Sequence, residues 1–126
     1  ALEFLYYQYE SVIAELDTIK RFCKSYDVAI VLDESARIKD PKTKTTQAVF
    51  ELIDLSIKRI IISGTPVANK PYDLWSQFYF LDKGKLLGND FNKFKSLYNE
   101  RNENYIKNIG ELKEIVKMNS IRRTKN

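Results

Sequence analysis

The chain has 126 residues, with 21 Lys and Arg against 17 Asp and Glu, 44% apolar residues and no histidine. That length and balance suit one globular core, and they exclude a long disordered tail. The missing histidine removes Ser-His-Asp, Cys-His and His-metal chemistry, and the single Cys23 removes intrachain disulfides and multi-cysteine zinc motifs.

In chain order, Leu2 to Tyr9 is rich in aromatics and reads as a strand. Ser11 is placed to cap a helix whose apolar positions Val12, Leu16, Ile19 and Cys23 recur at helical spacing. Val28 to Leu32 is a continuous apolar run ending in Asp33-Glu34, the pattern of a strand buried on both faces of a parallel sheet. A polar loop from Arg37 to Lys44 follows, holding Pro41, and then Ala48, Val49, Leu52 and Ile53 mark an amphipathic helix. Arg59 to Ile62 is the second buried strand, running into Ser63-Gly64-Thr65-Pro66. Strand, helix and strand, with each strand ending in a polar cluster, make a βαβ unit. The remainder reads as helical: Tyr72 to Leu81, then Phe91, Phe94 and Tyr98 on one face, then Leu112, Ile115 and Val116. Asn119 to Lys125 closes the chain with a basic segment. The fold class is α/β with a helical appendage.

Charge is unevenly spread. Residues 1–62 carry a net −1 and residues 63–126 a net +5. A basic half suits phosphate or another acidic partner, although lysine-rich helices are equally read as solvated faces. No apolar run approaches the length of a membrane span and no secretory signal opens the chain, which points to a cytoplasmic or nuclear setting. Lys, Ile and Asn account for 37 of the 126 residues, a bias that suits an AT-rich bacterial or phage genome. With Ala1 first and Met118 the only methionine, the chain reads as part of something longer.

Ligands of open parallel sheets sit at the carboxyl ends of the strands, where both polar clusters fall. One carboxylate of Asp33-Glu34 is suited to holding Mg²⁺ and its neighbour to orienting a water for attack on a nucleotide. Alone, such a pair more often simply starts a loop. Ser63-Gly64-Thr65-Pro66 offers hydroxyls that can relay the state of a bound phosphate, or else a tight turn in which Gly64 takes unusual backbone angles. Side by side, the two clusters favour a site.

Asp33-Glu34-Ser35-Ala36-Arg37-Ile38-Lys39-Asp40, then Ser63-Gly64-Thr65-Pro66-Val67-Ala68-Asn69, then Asp73-Leu74-Trp75, resemble motif II, motif III and a following Glu-Leu-Trp of the Swi/Snf-type helicase-related ATPases of superfamily 2. Tyr9-Glu10 resembles the Thr-Tyr-Glu stretch preceding motif II, and Ile121 to Lys125 looks like the segment that ends the first RecA-like lobe. The resemblance implies a partial RecA-like parallel sheet of the P-loop NTPase type. Residues 1–82 would form the lobe-one segment, 83–118 a helical protrusion, and 119–126 the lobe's end. It implies ATP and Mg²⁺ as cofactors, with Asp33 coordinating Mg²⁺ through water and Glu34 positioning or activating the hydrolytic water. Ser63, Gly64, Thr65 and Asn69 would couple nucleotide state to DNA grip. Lys39, Lys42, Lys44, Arg122 and Arg123 are the candidate contacts to double-stranded DNA, with solvated surface charge the other reading of the lysines.

The sequence departs from the family pattern at Ala36, where His is usual, at Ala68, where Gln is usual, and at Asp40, where Asn is common. Ala36 can make no polar link to motif III or to the second lobe, and the neighbouring Ser35 is a partial substitute for it. No Gly-x-x-x-x-Gly-Lys-Ser/Thr loop occurs among Gly64, Gly84, Gly88 and Gly110. The chain is therefore expected to need the P-loop half of lobe one and a second lobe, and to hydrolyse no ATP alone. The alternative is a non-catalytic helicase-like module that binds nucleic acid or protein through its basic half.

Overall fold

The structure, a computed structural model, describes residues 3–64 and 71–120. Helix α1 (Tyr9–Val12) and helix α2 (Leu16–Ser25) lead into strand β1 (Ala29–Asp33). A 3₁₀ turn (Ser35–Ile38), helix α3 (Lys44–Phe50) and a second 3₁₀ turn (Ile53–Leu55) then cross to strand β2 (Lys58–Ile62). Helices α4 (Tyr72–Asp82), α5 (Phe91–Leu97) and α6 (Tyr105–Met118) complete the described chain.

β1 and β2 pair in parallel, from Ala29 opposite Lys58 to Asp33 opposite Ile62. The βαβ reading is thus observed. The expectation of strands buried on both faces is not. Ile30, Leu32 and Ile61 turn toward the helices, whereas Val31, Ile60 and Ile62 on the other face are 51%, 40% and 51% exposed. Side chains alternate along a strand, and among the described residues helices cover only one face of this two-stranded sheet.

Residues 3–8 form no regular element, although their aromatics favour a strand; Phe4 is 86% exposed. Strand preference reflects fit to a pleated, half-buried surface, and no described strand pairs with this segment. Ser11 lies inside α1 instead of capping a helix, and the helical run breaks at residues 13–15. Val12 and Cys23 are nonetheless buried, and Leu16 and Ile19 pack on the core. α3 starts four residues before its first apolar marker because Thr43 caps it, its hydroxyl accepting from the Thr46 N–H at 3.2 Å.

Two apolar clusters meet on α4. The first gathers Val12, Leu32, Ile38, Ala48, Val49, Ile53 and Phe80 under the sheet. The second gathers Leu74, Trp75, Phe78, Phe94, Tyr98, Leu112 and Val116 between α4, α5 and α6. Trp75 is core, as its apolar helical surroundings suggest, and its indole N–H donates to the Gly88 carbonyl at 3.0 Å. Arg59 ties β2 to the end of α4. Its guanidinium donates to the carbonyls of Phe80 (2.9 Å), Leu81 (3.2 Å) and Ile53 (3.0 Å). These are α4 and 3₁₀-turn carbonyls near their elements' ends, where cationic donors are favourable.

Candidate functional site

The register that sets Ile62 opposite Asp33 brings Asp33-Glu34 and Ser63-Gly64 to the same carboxyl edge of the sheet. Asp33 is the last residue of β1, Ser63 and Gly64 follow β2 directly, and all three are exposed. Gly64 does not adopt a left-handed backbone, and a Cβ there would meet nothing within 4 Å. Thr65 and Asn69 lie outside the described residues, as do Arg122 and Arg123.

Glu34 is where the backbone departs from the ordinary. It sits in the left-handed region at φ 49° and ψ 54°, which costs a residue with a Cβ roughly 1–2 kcal/mol. This conformation turns the chain sharply out of β1 into the 3₁₀ turn and leaves the Glu34 side chain exposed beside Asp33. The Glu34 N–H donates to Asp33 Oδ1 at 3.0 Å, and its carbonyl accepts from the Arg37 N–H at 3.0 Å.

The residues flanking Glu34 are tied to distant elements. The Tyr9 phenol donates to the Asp33 carbonyl at 2.6 Å. Arg37 lies over the Tyr9 ring, 5.3 Å from its centroid, and pairs with Glu10. The Arg37 hydrogen bond holds the Glu10 carboxyl below its ordinary range, although both side chains are more than half exposed and the pair adds little stability. Burial, reinforced by the negative charge of Asp33, pushes the Tyr9 phenol up to about 12.

On the other side, the fully buried Ser35 hydroxyl donates to Gln77 Oε1 at 2.5 Å, and Gln77 Nε2 donates to the Asp73 carbonyl at 2.8 Å. The Ser76 hydroxyl reaches the Lys39 carbonyl at 3.3 Å. The Ser35 hydroxyl is thus donated to α4, while Thr65 to Asn69 of motif III, to which a polar link from this position was expected, lie outside the described residues. Gln77 escaped the sequence reading. The visible signal was a polar pair, Ser76-Gln77, inside the otherwise apolar stretch from Leu74 to Phe80.

Lys39, Lys42 and Lys44 are exposed along one loop and the start of α3, and none pairs with a carboxylate among the described residues. No cluster of three or more potential metal-ligating side chains occurs among the described residues. Two exposed carboxylates suit Mg²⁺ shared with nucleotide phosphates, since that ion usually takes one or two carboxylates and completes its shell with phosphate oxygens and water.

A family model described as the SNF2-related domain matches residues 5–126. The chain belongs to this SNF2-related family. The SNF2 domain-containing protein ENL1 of Oryza sativa subsp. japonica is 39% identical over 110 residues, covering 77% of this chain and 11% of that protein. The SWI/SNF-related matrix-associated actin-dependent regulator of chromatin subfamily A member 1 of Homo sapiens is 38% identical over 73 residues, covering 58% and 6%. The TATA-binding protein-associated factor mot1 of Aspergillus fumigatus is 54% identical over 56 residues, covering 44% and 3%. No solved structure matches the chain significantly. The SNF2 chain therefore spans about a tenth or less of the length of these relatives, and the resemblance read from its motifs is correct at the level of the family. No described helix is long and apolar enough to cross a membrane.

Proposed function

We propose that this SNF2 segment is the carboxyl-terminal part of the first RecA-like lobe of a DNA-dependent, Swi/Snf-type ATPase that translocates on double-stranded DNA. The observation that carries the reading is the meeting of Asp33-Glu34 and Ser63-Gly64 at one carboxyl edge of a parallel strand pair. Parallel α/β sheets bind nucleotides at that edge. Residues 1–82 belong to the lobe proper, 83–118 to a helical protrusion and 119–126 to the lobe's end. The names of the relatives, a SNF2 protein and a regulator of chromatin, agree with DNA as the partner. In a bacterial or phage host the protein acts in the cytoplasm, and in a eukaryotic one in the nucleus.

Mg²⁺ bound with ATP neutralises charge on the phosphate oxygens. The Asp33 carboxylate is the group that would hold that ion, through water. Glu34, one residue on, accepts a hydrogen bond from the attacking water and orients it toward the terminal phosphate. Ser63, Gly64, Thr65 and Asn69 couple the state of the bound nucleotide to the grip on DNA. Lys39, Lys42, Lys44, Arg122 and Arg123 are the proposed contacts to the DNA backbone, where each phosphate contact makes affinity fall with salt. The P-loop donors and the second lobe belong to other parts of the ATPase, so the segment alone hydrolyses no ATP.

A second reading, a non-catalytic helicase-like module binding nucleic acid or protein through its basic half, is favoured by Ala36 in place of the usual histidine. The two are separated by Asp33→Asn in an ATPase that carries this segment together with a P-loop. The first reading expects the Mg²⁺ concentration for half-maximal turnover to rise several-fold. Absence of turnover in the unaltered protein, or an Mg²⁺ requirement that Asp33→Asn leaves unchanged, supports the second.

A further inference from the structure

Glu34 occupies the left-handed region without being glycine, and its own backbone bonds are local: the N–H to Asp33 Oδ1 and the carbonyl from the Arg37 N–H. Such a conformation persists only where the surroundings over-determine it. Here the over-determination is visible. Asp33, on one side, is held at its carbonyl by the Tyr9 phenol from 24 residues away. Ser35, on the other, is held at its hydroxyl by Gln77 from 42 residues away. Each anchor has a further contact: Arg37 covers the Tyr9 ring, and Gln77 is bonded to the Asp73 carbonyl within α4. The far end of the 3₁₀ turn is also pinned to α4, through Ser76 and the Lys39 carbonyl.

We propose that Tyr9 and Gln77 are positioning residues for Glu34. They hold its backbone from two sides and set the direction in which its carboxylate leaves the strand end. The inference rests on reading Asp33-Glu34 as the nucleotide-facing pair. It adds a route that Ala36 cannot supply. α4 begins at Tyr72, soon after the chain that leaves β2, so a shift of α4 against the sheet reaches Glu34 through Gln77 and Ser35.

The test uses Tyr9→Phe and Ser35→Ala, each of which removes one hydroxyl and leaves the surrounding packing in place. In the chain itself, a positive φ brings the Glu34 amide and α protons close and gives an intense intraresidue nuclear Overhauser effect. That signal is expected to weaken in both variants to the level of ordinary negative-φ residues. An unchanged signal in both overturns the proposal; should one variant unfold, the other decides alone. In a longer ATPase carrying the segment, each variant is expected to lower kcat about tenfold or more while KM for ATP stays within about twofold. Losses confined to KM also overturn it. Glu34→Gln, assayed alongside, separates the two ideas: if it leaves turnover intact, the nucleotide-facing reading fails, whereas the proton signal still decides whether Tyr9 and Gln77 hold the backbone.

Discussion

Ser35 and Gln77, 42 residues apart, share a buried hydrogen bond of 2.5 Å that joins the turn after β1 to the middle of α4. Removing the donor leaves the Gln77 oxygen buried without this partner, which typically costs about 1–3 kcal/mol. Ser35→Ala is therefore expected to lower the unfolding free energy by that amount in a urea titration, with little change in the slope of the transition. A neutral result would mean that Gln77 re-pairs.

Arg59 serves a similar joining role at the carboxyl-terminal end of α4. Its donors reach the carbonyls of Phe80, Leu81 and Ile53 together with the Ser56 hydroxyl. A planar guanidinium spans such a spread of acceptors and an ammonium does not. Arg59→Lys is expected to cost about 1–3 kcal/mol, with Arg59→Ala no milder. Equal stability of Arg59→Lys and the parent chain would show that the fork geometry is unimportant.

Two glycines should respond in opposite directions. Gly84 has φ +94°, and a Cβ there would stand 2.7 Å from the Gly88 carbonyl oxygen. Gly84→Ala is expected to destabilise by roughly 1–3 kcal/mol. Gly110 lies within α6, and a Cβ there would meet nothing within 4 Å. Gly110→Ala is expected to stabilise by about 0.5–1 kcal/mol through helix propensity. Thermal unfolding of the pair checks both signs.

The Tyr9 phenol gives the site a pH signature. Its folded value of about 12 lies above the ordinary 10.0, so the unfolded chain loses this proton first. Stability from this group is complete below pH 10 and is lost as pH rises from there toward 12. Ring proton shifts of Tyr9 are expected to stay flat through pH 11, and the stability loss in this window should shrink in Tyr9→Phe. Glu10 works in the opposite direction. Arg37 depresses its carboxyl, so its contribution is present above the ordinary carboxylate range and is lost as pH falls through the lowered value.

Much of this architecture is legible in the sequence because it is local. The strand-helix-strand alternation and the apolar spacing of α4 to α6 are periodicities within a dozen residues, and the motif order carries the family. What failed depended on distant partners. The aromatics of residues 3–8 suggest a strand, yet none of the described strands pairs with them. Val31, Ile60 and Ile62 look like core but face outward, because a strand's burial is decided by what covers the sheet. The left-handed Glu34 carries no glycine to announce it, and the Gln77 that helps to hold it lies 43 positions further along the chain.

That bare sheet face yields its own test. Val31→Thr, Ile60→Thr and Ile62→Thr together are expected to raise the solubility of this chain at little cost in stability, since the side chains are already exposed. Leu32→Thr, on the helix-covered face, is expected to cost about 1–3 kcal/mol. A large loss from the first set would place those residues in a packed interface.

The most direct measurement is ATP turnover by Glu34→Gln in a full-length Swi/Snf-type ATPase carrying this segment. The amide keeps the shape of the side chain but cannot take a proton from water. MgATP binding is expected to persist while turnover falls by about 100-fold or more. Turnover equal to that of the unaltered ATPase would contradict the placement of the nucleotide at the Asp33-Glu34 strand end.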